Sequence, residues 1–158
     1  MTESPPTTPF SDAQQRALAR ALDEIIPAGD DGRLPSAGDA GVARYVEAAL
    51  REMPMLIGMV VESLDALEAL ATQRHARSFL ALPRNEQSEL LQALAMGEHA
   101  LPPVVMIHTF AGYYQSERVQ TALGLEPRPP HPKGYAMHRN DLTLLDPVRQ
   151  RPRHYREV

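Results

Sequence analysis

The chain has 158 residues, of which 43% are hydrophobic, and a formal net charge of -4; this length and composition suit one globular domain rather than a wholly disordered chain. It contains no cysteine, which excludes disulfides, c-type haem attachment, cysteine-ligated iron-sulfur clusters and thiol nucleophiles. The acidic balance argues against a nucleic-acid-binding surface, which requires clustered Lys and Arg.

The first half of the chain is predicted to form three amphipathic helices. Ser11 is a suitable N-cap for the first helix, which Pro27 ends. The glycine- and proline-rich segment 28–41 is predicted to be a loop, and its aspartates are interpreted as solvated charges because their spacing lacks the ligand pattern of a calcium loop. Apolar residues then recur at helical spacing over residues 42–53 and again over residues 55–77.

The second half is predicted to add three shorter helices. A connector over residues 79–83 precedes a helix over 85–96, and a further helix begins at Ser116, with Val119 and Leu123 facing inward. The helix between them, residues 104–114, is expected to bury Val104, Val105, Ile107, His108 and Ala111 or Phe110. No stretch alternates apolar and polar residues, so the fold class is all-α, a compact bundle of five to six helices over residues 11–125.

Residues 126–158 differ from the rest of the chain in charge and in proline content. They hold 7 Lys or Arg and 4 Asp or Glu, a net charge of +3, whereas residues 1–125 hold 9 Arg and 16 Asp or Glu, a net charge of -7. Their prolines disfavour a long helix or a central strand, and their apolar residues are too many for a segment that stays solvated. After a flexible N-terminus over residues 1–10 and the bundle, we therefore expect an extended arm over 126–158. We predict that this arm packs either on the acidic bundle or around a partner protein, and we prefer the partner. A disordered C-terminus is the alternative.

Sequence motifs for catalysis, cofactors or metals are missing. No two of the six histidines are spaced three or four residues apart, and there is no P-loop, no glycine-rich dinucleotide motif and no nucleophile elbow. We therefore expect no catalytic, cofactor-binding or metal-binding residue. His108 lies alone on an apolar helix, which leaves open a free-standing ligand-binding or enzymatic module with a bundle pocket. A regulatory adaptor unconnected with redox enzymes is a third alternative.

The chain shows no export signal. Residues 1–10 lack a basic and an apolar region, and the apolar run over 53–61 is too short to span a bilayer. We expect a cytoplasmic protein without membrane insertion, with periplasmic location by co-export or after signal removal as the alternative.

Several landmarks in a fixed order carry a family resemblance. They are Leu18 to Pro27, Pro35 to Val42, Phe79-Leu80-Ala81-Leu82, Glu86-Gln87, Leu90-Leu91, Gly112-Tyr113-Tyr114, Val119 to Gly124, Pro130, Pro132 and Gly134-Tyr135. Over roughly residues 12–148 the chain resembles the gluconate 2-dehydrogenase subunit 3 family. The resemblance implies a helical, non-catalytic small subunit that stabilises a flavoprotein of the glucose-methanol-choline type and helps it mature. FAD would be in that partner, and some such complexes add a cytochrome c subunit. Family members often carry a twin-arginine signal, which this sequence lacks.

The arm and the tyrosines supply the expected partner contacts. Tyrosine suits an interface because it joins a large apolar body to one polar tip, although Tyr113 and Tyr114 could alternatively cap the core of the bundle itself. The candidate partner-interface residues are Tyr113, Tyr114, Arg118, Pro130, Pro132, Gly134, Tyr135, Leu144, Leu145, Asp146, Pro147 and Arg149.

Overall fold

A computed structural model describes residues 8–129, 131–134, 136–137 and 139–152 of the chain. The chain falls into two compact units, one ending at Pro127 and the other beginning at Arg128; we call them the bundle and the C-terminal unit. Within the described ranges all regular secondary structure is helical. The all-α prediction is therefore confirmed for the bundle, whereas the extended arm that wraps a partner stays a prediction.

Seven α-helices and two short 3-10 helices make up the described secondary structure. They are α1 (Asp12–Ile25), α2 (Val42–Arg51), α3 (Pro54–His75), α4 (Arg84–Ala95), α5 (Pro103–Gln115), α6 (Glu117–Ala122) and α7 (Asp146–Arg149), with 3-10 helices at Phe79–Ala81 and Leu142–Leu145. The six helices predicted for residues 11–125 are all present. Pro54 and Pro103 each occupy the first helical position, where a missing backbone donor costs nothing.

Helix α1 is the centre of the bundle, since α2, α3, α4 and α5 all pack against it. Ser11 begins the helix with a capping box: its side chain accepts from the backbone of Gln14, and the Gln14 side chain accepts from the backbone of Ser11. Leu18 and Leu22 are fully buried. The predicted N-cap and apolar face of this helix are confirmed.

A buried arginine joins α1 to α4. Arg20 is only 9% exposed; its Nε donates to Gln87 Oε1 at 2.9 Å and its Nη2 donates to Ser88 Oγ at 2.8 Å. Its Nη1 also pairs with Glu24 at 3.2 Å. A buried charge is tolerated where hydrogen bonds surround it in this way, so the network fixes the position of α4 against α1.

Two orientations predicted from the sequence are wrong. Ile107 is 62% exposed on α5 and Leu123, just after α6, is 43% exposed, although both were expected to face inward. On α5 the buried residues are instead Val105, Thr109, Gly112 and Tyr113.

The C-terminal unit is not extended throughout, which corrects the prediction for residues 142–149. A 3-10 helix and the one-turn helix α7 occupy these residues. Asp141 begins this segment by accepting hydrogen bonds from the Thr143 backbone and hydroxyl, which lower the pKa of the Asp141 carboxyl. Pro147 lies in the first turn of α7 and therefore removes no hydrogen bond.

Candidate partner interface

Helix α5 lies in the longest stretch of the bundle sequence without a charged side chain. No Asp, Glu, Lys or Arg occurs between Glu98 and Glu117. Four large side chains of this helix are nevertheless exposed: Met106 is 49% exposed, Ile107 62%, Phe110 41% and Tyr114 55%. We call these four residues the α5 face. An all-apolar helix normally has both sides covered, so this face is a candidate partner surface.

The α5 face forms a single stripe along the helix. Because successive residues advance by about 100° around a helix axis, its four residues lie within an arc of about 100°. The buried residues Val105, Thr109, Gly112 and Tyr113 occupy the adjacent arc. The four exposed side chains therefore project as one ridge rather than as scattered apolar residues.

Small residues decide which side of α5 faces the bundle. A Cβ added at Gly112 would lie 2.7 Å from Cδ1 of Tyr45, so only glycine lets the Tyr45 ring of α2 approach so closely. Thr109, also fully buried, satisfies its hydroxyl by donating to the Val105 carbonyl at 2.6 Å. A glycine and a threonine thus take the inner side of α5, and the larger Ile107 and Phe110 remain on the surface.

Tyr113 belongs to the core, the alternative that the sequence left open. It is 2% exposed, and its hydroxyl donates to the carbonyl oxygen of Pro35 at 2.7 Å. Burial raises the pKa of the Tyr113 hydroxyl; Tyr114 adds to the rise and Arg118 opposes it. The expectation that Tyr113 anchors a partner is therefore corrected, because almost none of its surface is accessible.

Tyr114 and Arg118 remain at the surface of the bundle. The Tyr114 ring meets the Tyr113 ring edge to face, with centroids 5.3 Å apart, and more than half of the residue stays exposed. Arg118 is exposed and donates from Nη1 to the carbonyl oxygen of Asp39 at 3.1 Å. Both are available for a partner, and of the two only Tyr114 adds apolar area.

The remaining predicted interface residues belong to the C-terminal unit. Leu144 is 76% exposed and Leu145 46%, while Asp146 and Arg149 form an exposed ion pair at 3.1 Å within α7. Gly134 accepts a hydrogen bond from Arg128 at 2.7 Å. A role for these residues in binding a partner stays a prediction, as it does for the exposed Pro132 and Pro147; Pro130 and Tyr135 lie outside the described residues.

An apolar groove adjoins the α5 face. It has a volume of ≈ 580 Å³ and lies between α1, α3, α4 and α5. Met106 belongs to both the groove and the α5 face, so the two surfaces are continuous. The residues that form the groove include Ile25, Met59, Leu91, Leu101, Val105 and Met106.

His108 does not line the apolar groove. Its ring lies 6.1 Å from the ring of Tyr45, measured between centroids. Its Nδ1 is buried without a hydrogen-bond partner among the described residues. The geometry around His108 does not favour the ligand-binding alternative over a partner surface.

Among the described residues, no three His, Asp or Glu side chains come together as metal ligands. In the same part of the chain, no helix is long and apolar enough to cross a membrane.

The sequence held a signal for the α5 face that the helical pattern alone missed. Apolar residues on every side of a helix give no preferred inward direction, and a 3.6-residue period then fits several faces equally well. The absence of charge between Glu98 and Glu117 was the informative feature. It indicates that both sides of α5 are apolar, and therefore that one of them needs a second covering surface.

Comparison with known proteins gives a family match. The family model described as Gluconate 2-dehydrogenase subunit 3 matches residues 12–128, which confirms the resemblance over the bundle, although not over the further residues to 148. Searches of curated proteins and of solved structures returned no match.

Proposed function

Since this chain belongs to the gluconate 2-dehydrogenase subunit 3 family, we propose that it is a non-catalytic accessory subunit of an FAD-dependent alcohol or sugar oxidoreductase. Its partner is a flavoprotein of the glucose-methanol-choline type, which binds FAD and oxidises the substrate. The accessory subunit stabilises the flavoprotein and helps it mature. The family's own description, a numbered subunit of a dehydrogenase, supports assembly into a larger enzyme.

The observation that carries this proposal is the exposed, charge-free α5 face. The cores of protein interfaces are depleted of charged residues and enriched in aromatic residues and methionine. Met106, Phe110 and Tyr114 match that composition, and Ile107 adds branched apolar area. A protein with this ridge on its surface gains stability from a permanent partner, as an obligate subunit does.

The segment of residues 126–158 supports the proposal through its charge. Residues 126–158 carry a net charge of +3, against -7 for residues 1–125. Opposite charges on one polypeptide can contact separate regions of a partner and thereby fix its orientation. Exposed Leu144 and Leu145 add apolar contact beside these charges.

Co-expression tests the proposal directly. The full chain, produced together with the glucose-methanol-choline flavoprotein of the same organism, is expected to yield a stoichiometric yellow complex whose flavin absorbance elutes with both polypeptides. The flavoprotein produced alone is expected to give less soluble protein and to lose activity faster on heating. A flavoprotein that is equally soluble, active and heat-stable without this chain would contradict the accessory role.

A further inference from the structure

The apolar groove contains two side chains whose polarity can change after folding. Met59 of α3 and Met106 of α5 both line it, and they are 51% and 49% exposed; we call them the groove methionines. We propose that they are oxidation sites at which a hydroperoxide converts the groove surface from apolar to polar. This inference concerns the free chain and is independent of the proposed function.

Methionine is the only residue type through which this chain can undergo sulfur oxidation, since the chain contains no cysteine. The thioether sulfur attacks an oxygen of the hydroperoxide, the O–O bond breaks, and a sulfoxide forms. The sulfur gives up two electrons, and the hydroperoxide is reduced to an alcohol, or to water when it is hydrogen peroxide. Methionine sulfoxide reductases reverse the reaction, so the modification can act as a switch.

Both groove methionines combine access with packing. The exposed half of each side chain admits an oxidant, and the other half contacts the groove. Met55 and Met96 are 90% exposed; Met55 lies one turn before Met59 on α3, and Met96 is the C-cap of α4. These two methionines do not line the groove, so their oxidation provides a comparison in which the chemistry is the same and the groove is unchanged.

The rest of the groove cannot satisfy a sulfoxide oxygen. Among the described residues that line it, all except the two methionines, Glu24 and Gln92 have aliphatic side chains. An ionised Glu24 only accepts hydrogen bonds, which leaves Gln92 as the single side-chain donor of this lining. A polar oxygen that lacks a donor is unfavourable against apolar groups, so the sulfoxides take their hydrogen bonds from water. Oxidation therefore hydrates the groove and removes apolar area from it.

Peptide mapping by mass spectrometry tests the modification itself. The full chain and free methionine are treated with hydrogen peroxide under the same conditions, and sulfoxide formation is followed over time. We expect Met59 and Met106 to react within about tenfold of the rate of free methionine, because both are solvent-accessible. Slower reaction at either residue would overturn the proposal.

An apolar dye tests the effect on the groove. Anilinonaphthalene sulfonate binds exposed apolar surface and fluoresces there. We expect its fluorescence with the wild-type chain to fall about threefold or more after oxidation, and to recover after treatment with methionine sulfoxide reductases. The groove variant Met59→Leu/Met106→Leu keeps the apolar volume but cannot be oxidised there, so its fluorescence should persist. The matched control Met55→Leu/Met96→Leu should lose its fluorescence as the wild type does.

The opposite results are equally clear. Wild-type fluorescence that persists once both groove sulfoxides have formed would overturn the proposal, and so would an equal loss in the groove variant. Circular dichroism of the same samples should remain unchanged. A loss of helical signal on oxidation would also contradict the proposal, because the change would then be unfolding rather than a change in the polarity of one surface.

Discussion

The hydroxyl of Tyr113 donates a 2.7 Å hydrogen bond to the carbonyl oxygen of Pro35, a residue 78 positions earlier in the chain. Both residues are buried, so this bond ties α5 to the loop that follows α1. It holds in place the helix whose neighbouring, exposed side carries the α5 face. The stability of the bundle and the position of the α5 face are therefore linked through α5.

Replacing this hydroxyl should destabilise the bundle. Tyr113→Phe leaves the buried Pro35 carbonyl without its donor, and an unsatisfied buried group costs about 1 to 3 kcal/mol. Urea unfolding followed by circular dichroism measures the loss. Tyr114→Phe, which removes a hydroxyl from an exposed ring, should change stability by less than about 0.5 kcal/mol. Equal losses from both substitutions would contradict the role assigned to the bond.

The stability of the bundle should also depend on Tyr113 at high pH. Its pKa is raised above the ordinary value of 10.0, so the folded state holds this proton more tightly than the unfolded state. The resulting stability is fully present below pH 10.0 and is lost as the pH rises through the raised pKa. Denaturant titrations across this range should show a steeper loss for wild type than for Tyr113→Phe. Parallel curves for the two proteins would exclude this linkage.

Two glycine substitutions should have opposite effects. Gly112→Ala places a Cβ 2.7 Å from the Tyr45 ring, and such overpacking costs about 1 to 3 kcal/mol. Gly58→Ala, in the interior of α3, meets nothing within 4 Å and should stabilise the helix by roughly 0.5 to 1 kcal/mol. Melting temperatures of the two variants provide the test. A stabilised Gly112→Ala variant would show that α2 and α5 do not approach as described.

The Arg20 network should contribute more to stability than a surface arginine. Arg20→Met removes the donor shared by Gln87, Ser88 and Glu24, and we expect a loss of roughly 2 to 3 kcal/mol. Arg16→Met, at an exposed position of the same helix, should stay within about 0.5 kcal/mol of wild type. Chemical denaturation of both variants checks the difference. A loss confined to Arg16→Met would be incompatible with the network.

Much of the bundle could be predicted from the sequence because its helix boundaries have local physical causes. Ser11 offers the side-chain acceptor that begins α1, and the prolines at positions 54 and 103 restrict where α3 and α5 begin. Apolar spacing then identifies the buried side of α1, since its other side is polar. These signals act within a few residues of each other and need no knowledge of the tertiary packing.

The orientation of α5 could not be predicted in the same way, because it depends on contacts between distant residues. Gly112 faces inward because Tyr45 of α2 occupies the space beside it, and the inward-facing Tyr113 donates its hydroxyl hydrogen bond to the carbonyl oxygen of Pro35. Neither relationship is visible in the local sequence. The helical turns over residues 142–149 could not be predicted for a different reason. The high proline content of residues 126–158 predicts an extended segment, and the capping by Asp141 is a weaker local signal for the turns that the structure has there.

The affinity of the chain for the proposed flavoprotein partner tests the central claim most directly. Ile107→Ser/Phe110→Ser removes two side chains of the α5 face, whereas Ala69→Ser/Gln73→Ser alters an exposed part of α3 as a matched control. Interface anchors each contribute about 2 kcal/mol or more, so the first variant, which loses two of them, should bind roughly 700-fold or more weakly, with circular dichroism unchanged. Binding of that variant with wild-type affinity, measured by titration calorimetry against the flavoprotein, would contradict the assignment of the α5 face as the partner surface.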